Sequence, residues 1–343
     1  MEQITRDRAV ARDIGSYDAL IRGGGLSGWA AAVSLARTGH TVLLAACRTS
    51  LGHEIWAAMS TWWPPELGAP DLWAEIVDEL ERVNAARGTL VDPVATQIAL
   101  ERAAEEAGVE MLMQVNAHPG EADLTLLTGR WGLMAARSRV VIDASVRCTL
   151  AVESGARTRA RGTDEPVIRR ALMVKTGLSE PERIEVGEDL PLVDGTVMAW
   201  TGLWPGDVIL HAEMDLPTGD MTALEMQSRQ TMAEVAIRLR RTREEFEQGS
   251  LVSIAHDPVL PRGRVLKASD DATVVAEVGS EGRAFEVTRG IMLPEGADGV
   301  IAASPALDLG EISAQSCYHA PNAVRIGEAA AAIAGEMLQT GSA

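Results

Sequence analysis

Apolar and polar positions follow two different periods along this chain, and each change of period marks an element. Residues 17–22 form a short apolar run that predicts a buried strand. A run of glycines comes next. Residues 29–37 then carry the apolar density of a packed helix, closed by Thr38, Gly39 and His40. Residues 41–46 predict a second strand, so strand, helix and strand fit within about 30 residues, the size of a parallel crossover. After a polar stretch, residues 71–87 are amphipathic, and Asp92-Pro93 opens another helix that Gly108 stops. Residues 109–115 predict a third strand. Residues 124–127 and 131–135 predict a hairpin turning at Thr128-Gly129, and residues 139–144 a further strand. From Ala156 to about Arg264 the character changes. Strand-like runs at 171–176, 197–202 and 207–214 precede a charged helix from Thr222 to about Glu247. The chain then returns to a strand, 299–304, and an alanine-rich helix, 322–338.

Composition narrows the class. The 343 residues are 46% apolar and 23% charged, an ordinary globular balance. Against 49 Asp and Glu stand 31 Lys and Arg, a net charge of −18. Such a surface repels phosphate backbones and anionic lipid, which argues against nucleic-acid or membrane partners. No apolar run reaches the roughly 18 residues that span a bilayer. Residues 1–15 lack the apolar core of a secretory leader and read as a solvated arm. Cys47, Cys148 and Cys317 are scattered and odd in number, so no disulfide framework and a cytoplasmic location are expected. No two of the six histidines lie three or four residues apart, so zinc-ligand spacing is absent. Trp29, Trp56, Trp62, Trp63 and Trp73 cluster just after the glycine run.

That run contains Gly23-x-Gly25-x-x-Gly28 between strand and helix. In this context the first glycine makes the turn, the second lets a pyrophosphate approach, and the third lets helix pack on strand. The helix N-terminus then offers free N–H groups and a favourable dipole to phosphates. An acidic residue normally ends the second strand and holds the ribose. Here that position is Ala45 or Ala46, with Arg48 just beyond. An arginine there suits a 2′-phosphate, which keeps NADPH as the second cofactor reading.

The glycine run, the helix at 92–108, the strand at 140–144, the segment 284–303 and Arg325-Ile326-Gly327 together resemble FAD-dependent oxidoreductases. The nearest types are the glutathione-reductase-like and succinate dehydrogenase/fumarate reductase flavoproteins. The resemblance implies an α/β fold: a Rossmann-like FAD-binding domain with a parallel sheet, discontinuous over 16–155 and 265–343. A small α+β cap, 156–264, is inserted into it. It also implies cofactor contacts at Gly23, Gly25, Ser27, Gly28, Arg48, His53, Ala144, Asp308, Arg325 and Gly327. Three departures stand beside it. Ala144-Ser145-Val146 replaces the family's Ala-Thr-Gly, Ala303-Ser304-Pro305 replaces a glycine–acid pair, and Ala46 replaces the ribose acid. In the succinate dehydrogenase group a histidine after strand two carries flavin covalently. By that resemblance His53 is a candidate tether; otherwise it is a loop histidine paired with Glu54.

Cys317-Tyr318-His319 precedes the last helix, with His319 a candidate base and Tyr318 a candidate proton donor; the alternative is a helix-start loop with a packing tyrosine. Strand alternation puts His211 and Glu213 on one face, either against substrate or at a solvent-facing edge. The function so implied is hydride transfer from a small organic substrate, aromatic or amine, to FAD in specialised metabolism. A homo- or hetero-oligomer is compatible with it. The alternative is a cofactor-free descendant of the fold, acting as a non-redox enzyme or as a partner subunit of a flavoenzyme.

Overall fold

The computed structural model describes residues 11–121, 123–161 and 165–341. Residues 1–10 of the expected arm lie outside that range. Strand β1 (Arg12–Arg22) leads through the glycine turn into α1 (Leu26–Arg37) and β2 (Val42–Ala46). Next come α2 (His53–Trp56), α3 (Asp71–Arg82) and α4 (Pro93–Glu106). Then follow β3 (Glu110–Met113), β4 (Val115–Pro119), β5 (Leu124–Gly129) and β6 (Gly132–Asp143). A second group holds β7 (Val167–Val174), β8 (Glu182–Glu185), β9 (Thr196–Thr201), β10 (Val208–Met214), α5 (Met221–Thr242) and β11 (Ser250–Ile254). The chain ends with the hairpin β12 (Val274–Ser280) and β13 (Arg283–Thr288), then β14 (Val300–Ala302) and α6 (Ala320–Thr340).

The first sheet runs β3-β2-β1-β6-β5-β4, and β14 also pairs with β6. Strands β3, β2, β1, β6 and β14 are mutually parallel, while β4 and β5 continue the sheet as an antiparallel meander. The long β6 serves both parts: residues 133–137 face β5 and residues 141–143 face β14. Where this differs from the sequence pattern, pairing explains it. β1 begins at Arg12 rather than Tyr17 because its polar first half pairs with Met134–Arg137 of β6 across a bulge. The predicted strands at 131–135 and 139–144 are one strand for the same reason, and the hairpin turns between Gly129 and Gly132. Helix α3 stops at Arg82 because Asn84 turns left-handed (φ 57°) and Ala86–Arg87 pairs with Leu90–Val91. Helix α5 ends at Thr242, and a 3₁₀ turn covers Glu244–Phe246.

Helix α1 buries Trp29 through Val33 completely and packs along α6, whose inner face is mostly alanine and glycine. Small side chains let the two axes approach. A Cβ on Gly327 would sit 2.8 Å from Ala30 Cβ and inside the contact distance of the Ser27 carbonyl. Gly327→Ala is therefore expected to cost about 2 kcal/mol, the usual penalty for overpacking. A urea unfolding midpoint unchanged from wild type would disprove that close crossing.

The second sheet, β8-β9-β10-β7-β11, is antiparallel throughout. Val208, Leu210, Ala212 and Met214 of β10 share a separate apolar cluster with Leu224, Met232, Val235 and Leu239 of α5. The alternate residues therefore face the other way, toward the first unit. Short strands Thr158–Ala160 and Arg264–Leu266 pair where the chain passes between the two units. Among the described residues no helix is long and apolar enough to cross a membrane.

Candidate functional site

The glycine turn is built as its sequence requires. Gly23 has φ 118°, and a Cβ there would lie 2.6 Å from the Ala144 carbonyl. A Cβ on Gly28 would fall inside the contact distance of Gly23 O. Gly25 caps α1 and offers no side chain to its free N–H groups. What meets those groups is protein. The Leu26 N–H donates to both oxygens of Glu54, at 3.1 and 3.0 Å. Gly52, left-handed at φ 66°, swings α2 over the turn, and its N–H donates to Gly24 O at 2.7 Å. A Cβ on Gly25 would meet Glu54 Oε1 at 2.5 Å and the His53 ring at 2.8 Å. His53 is buried, its Nδ1 lies 3.5 Å from Glu54 Oε2, and its Nε2 has no hydrogen-bond partner among the described residues. Tyr318 stands edge-on to it at 6.1 Å. His53 opens helix α2 rather than lying in a loop, and its near neighbour there is Glu54.

The other expected cofactor residues are engaged in the fold. Ser27 Oγ donates to Ala303 O at 2.7 Å, which ties α1 to the chain beyond β14. The Ala144 N–H donates to Arg22 O at 2.7 Å. Buried Asp143 accepts from Ser145 N–H, Ser145 Oγ and Ala151 N–H, and burial raises its pKa. The altered Ala144-Ser145-Val146 motif is thus an internally bonded turn. Asp308 pairs with Arg159, and Arg325 donates to Leu67 O at 2.6 Å. Gly327 is a helix-crossing residue. Arg48 is ion-paired with Asp257 and leans over Trp56 at 5.9 Å. Among the described residues no group of His, Cys, Asp and Glu is placed to hold a metal.

Polar groups converge instead between the two units. A cavity of about 20 Å³ is lined by Ser60, Trp62, Arg170, Trp200, His211 and His319, among others. That is room for about one water. Trp62 stacks on His319, with centroids 5.4 Å apart and planes 3° apart, and meets Trp200 edge-on at 4.4 Å. Register puts Arg170 opposite His211. Arg170 Nη1 donates to Ala58 O at 2.9 Å and Nε donates to His211 Nδ1 at 3.3 Å. His211 Nδ1 is therefore an acceptor, its proton is on Nε2, and Nε2 lies 3.5 Å from Glu213. The expected shared face of His211 and Glu213 is present. Both ring nitrogens are spoken for, so His211 braces Arg170 rather than standing free as a base.

Charge in this cavity is set by burial. Arg170 has no carboxylate within ion-pair distance among the described residues, and desolvation lowers its pKa to about 10. It stays cationic at neutral pH. His211 is held neutral mainly by burial. Burial, then the Arg170 charge, lowers His319 to about 4. Its Nδ1 lies 3.3 Å from Trp62 O, and a carbonyl only accepts, so the proton is on Nδ1 and the Nε2 lone pair has no hydrogen-bond partner among the described residues. Tyr318, buried and near Glu54, is pushed well above its ordinary pKa and remains a phenol. It packs with Ala58, Ile168, Val259 and Ala314 between the units. Sequence reasoning missed Arg170, Glu54 as a helix cap, and Trp200. The available signal for Arg170 was a pair of arginines inside the apolar run Val167–Val174.

Residues 18–177 match the family model described as FAD dependent oxidoreductase. No curated protein matches the chain. Among solved structures, one similar protein is a geranylgeranyl bacteriochlorophyll reductase-like protein from Thermoplasma acidophilum. It is 14% identical, with 96% of this chain and 80% of that one covered and a TM-score of 0.60. Another is p-nitrophenol 4-monooxygenase PnpA from Pseudomonas putida DLL-E4, 12% identical, with 96% and 82% covered and a TM-score of 0.59. NikD, an unusual amino acid oxidase essential for nikkomycin biosynthesis, is 15% identical, with 92% and 94% covered and a TM-score of 0.54. The fold is the Rossmann-like α/β fold of these flavoproteins. The neighbours show the fold, and the family match covers the glycine turn and the strands around it.

The turn itself does not fit FAD in this conformation. A pyrophosphate needs the N–H groups at the start of α1 and open backbone at Gly25. Glu54 holds the Leu26 N–H, and His53 with Glu54 covers Gly25.

Proposed function

We propose that this chain is a flavin-dependent oxidoreductase acting on a small aromatic anion held between Trp62, Trp200 and Arg170. The redox class rests on the family match at residues 18–177, which includes the glycine turn. One observation carries the substrate reading: Arg170 is a buried cation with no carboxylate partner among the described residues, in a wall that includes Trp62, Trp200 and His319. A buried charge is costly until it is paired, so a substrate carboxylate or phenolate satisfies it. A protonated amine is repelled by the same group, which narrows the aromatic-or-amine expectation to the aromatic side. The cavity must widen to admit such a molecule, and the Trp62–Trp200 contact is the seam between the units where it can part. In the closed site, His319 Nε2 takes a proton from a substrate O–H or N–H, and the Arg170 charge favours the anion so formed.

The test is the visible spectrum of the purified protein, before and after FAD is added. Bands near roughly 370 and 450 nm are expected of an oxidised flavin. Colour that stays in an acid pellet would mark a covalent link through His53; colour in the supernatant would mark a dissociable cofactor. A second reading, a cofactor-free descendant of the fold, is favoured by the Glu54 carboxylate at the Leu26 N–H. Protein that stays colourless with excess FAD would replace the first reading with the second.

A further inference from the structure

We infer that Glu54 is a built-in occupant of the phosphate position, so that FAD and this side chain compete for the N-terminus of α1. The inference builds on the flavin reading but is tested apart from it. A carboxylate at the start of a twelve-residue helix is where the dipole and the free N–H groups favour negative charge. Glu54 is 4% exposed, and its negative charge is met by the Leu26 N–H and, at 3.5 Å, by His53 Nδ1. A phosphate arriving at this point meets a like charge in a poorly solvated space, where repulsion is strong. The second sign is His53. Its side chain is nine-tenths buried with an unpartnered Nε2, and its ring lies against the same glycine. With Nδ1–H turned to Glu54, Nε2 is a buried acceptor without a partner among the described residues, and withdrawal of Glu54 frees the Nδ1 donor beside the same glycine.

The segment around Glu54 is short. Helix α2 has only four residues, and left-handed residues flank it on both sides, Gly52 at φ 66° and Met59 at φ 52°. Its first turn holds Leu26 through Glu54, and the following Ala58 O is held by Arg170. Turning the Glu54 side chain away gives up one helix cap and needs no change in these backbone contacts.

The experiment compares wild type with Glu54→Gln and Glu54→Ser for binding of FAD and of riboflavin, which has no phosphate. Flavin fluorescence quenching and equilibrium dialysis report the binding, and circular dichroism confirms the fold. Glu54→Gln keeps an acceptor for the Leu26 N–H but removes the charge; Glu54→Ser supplies an ordinary cap if the first variant folds poorly. Both are expected to bind FAD at least about ten-fold tighter than wild type, with riboflavin unchanged, the mark of relieved charge repulsion. Equal FAD affinity in wild type and variants would overturn the inference. So would a parallel gain for riboflavin, which would mean that the substitution only made room. The flavin reading is judged separately, by wild type alone. Variants that bind FAD while wild type binds none sink that reading and uphold this one. Tight and equal binding does the reverse.

Discussion

An Arg170→Met variant is expected to lose affinity for small aromatic carboxylates by about 100-fold while its unliganded fold becomes no less stable. The two halves have different causes. A charge-assisted hydrogen bond in a desolvated site contributes about 1.5–3 kcal/mol, and the upper end of that range is a factor of about 100 or more. Without ligand, the guanidinium is a buried cation held by Ala58 O, His211 Nδ1 and the more distant Glu213 charge. Methionine removes the desolvation cost of that charge and leaves Ala58 O and His211 Nδ1 without their donor, two effects of opposite sign and similar size. Benzoate titrated against intrinsic fluorescence reports the first effect, because Trp62 and Trp200 line the cavity. Benzamide is the control, since it has the same ring and no charge. Benzoate binding equally well to both proteins, or benzamide matching benzoate in wild type, would remove Arg170 from substrate recognition.

The second large effect is on stability against pH. His319 titrates near 6.5 when unfolded and near 4 in the fold. Its folded pKa is depressed, so between those values the unfolded chain binds the proton and the folded chain does not. Stability from this group is complete above about pH 6.5, falls as the pH drops, and is gone near pH 4. At about 1.4 kcal/mol per unit, the loss is about 3 kcal/mol. A His319→Asn variant keeps a donor for Trp62 O but does not titrate. The difference between wild type and variant in urea unfolding, measured from pH 7.5 to 4, should therefore shrink by about that amount. A difference that is flat across the range would show that the ring reaches solvent. Trp62→Ala should act in the same direction by uncovering the imidazole.

Features set by neighbours in sequence were legible. The glycine turn, the first strand–helix–strand unit and the start of α4 rest on contacts within a few residues. Asp92 caps α4 by accepting from Val94 and Ala95 N–H, as Asp-Pro suggests. The pairing of His211 with Glu213 follows from the two-residue period of a strand. Features set by distant partners were not legible. The polar half of β1 is a strand only because β6 lies beside it. Ser27, Arg325 and Gly327 look like cofactor contacts because they follow the motif's spacing, yet their partners are Ala303, Leu67 and Ser27 itself. Glu54 reads as a polar loop residue until the fold carries it onto the start of α1. Arg170 and Trp200 come from the second unit, and nothing local says which wall they will face.

The paired strands Thr158–Ala160 and Arg264–Leu266 bring the chain into the second unit and back out at a single place, with Ala160 beside Arg264. For the first unit, everything between them is one closed excursion. Closure entropy grows slowly with the length of such an excursion, by about 0.6 kcal/mol per doubling. Changes of length within that stretch are therefore nearly silent to the parallel sheet. The wall that carries Arg170 and Trp200 can thus be reworked while the parallel sheet stays as it is.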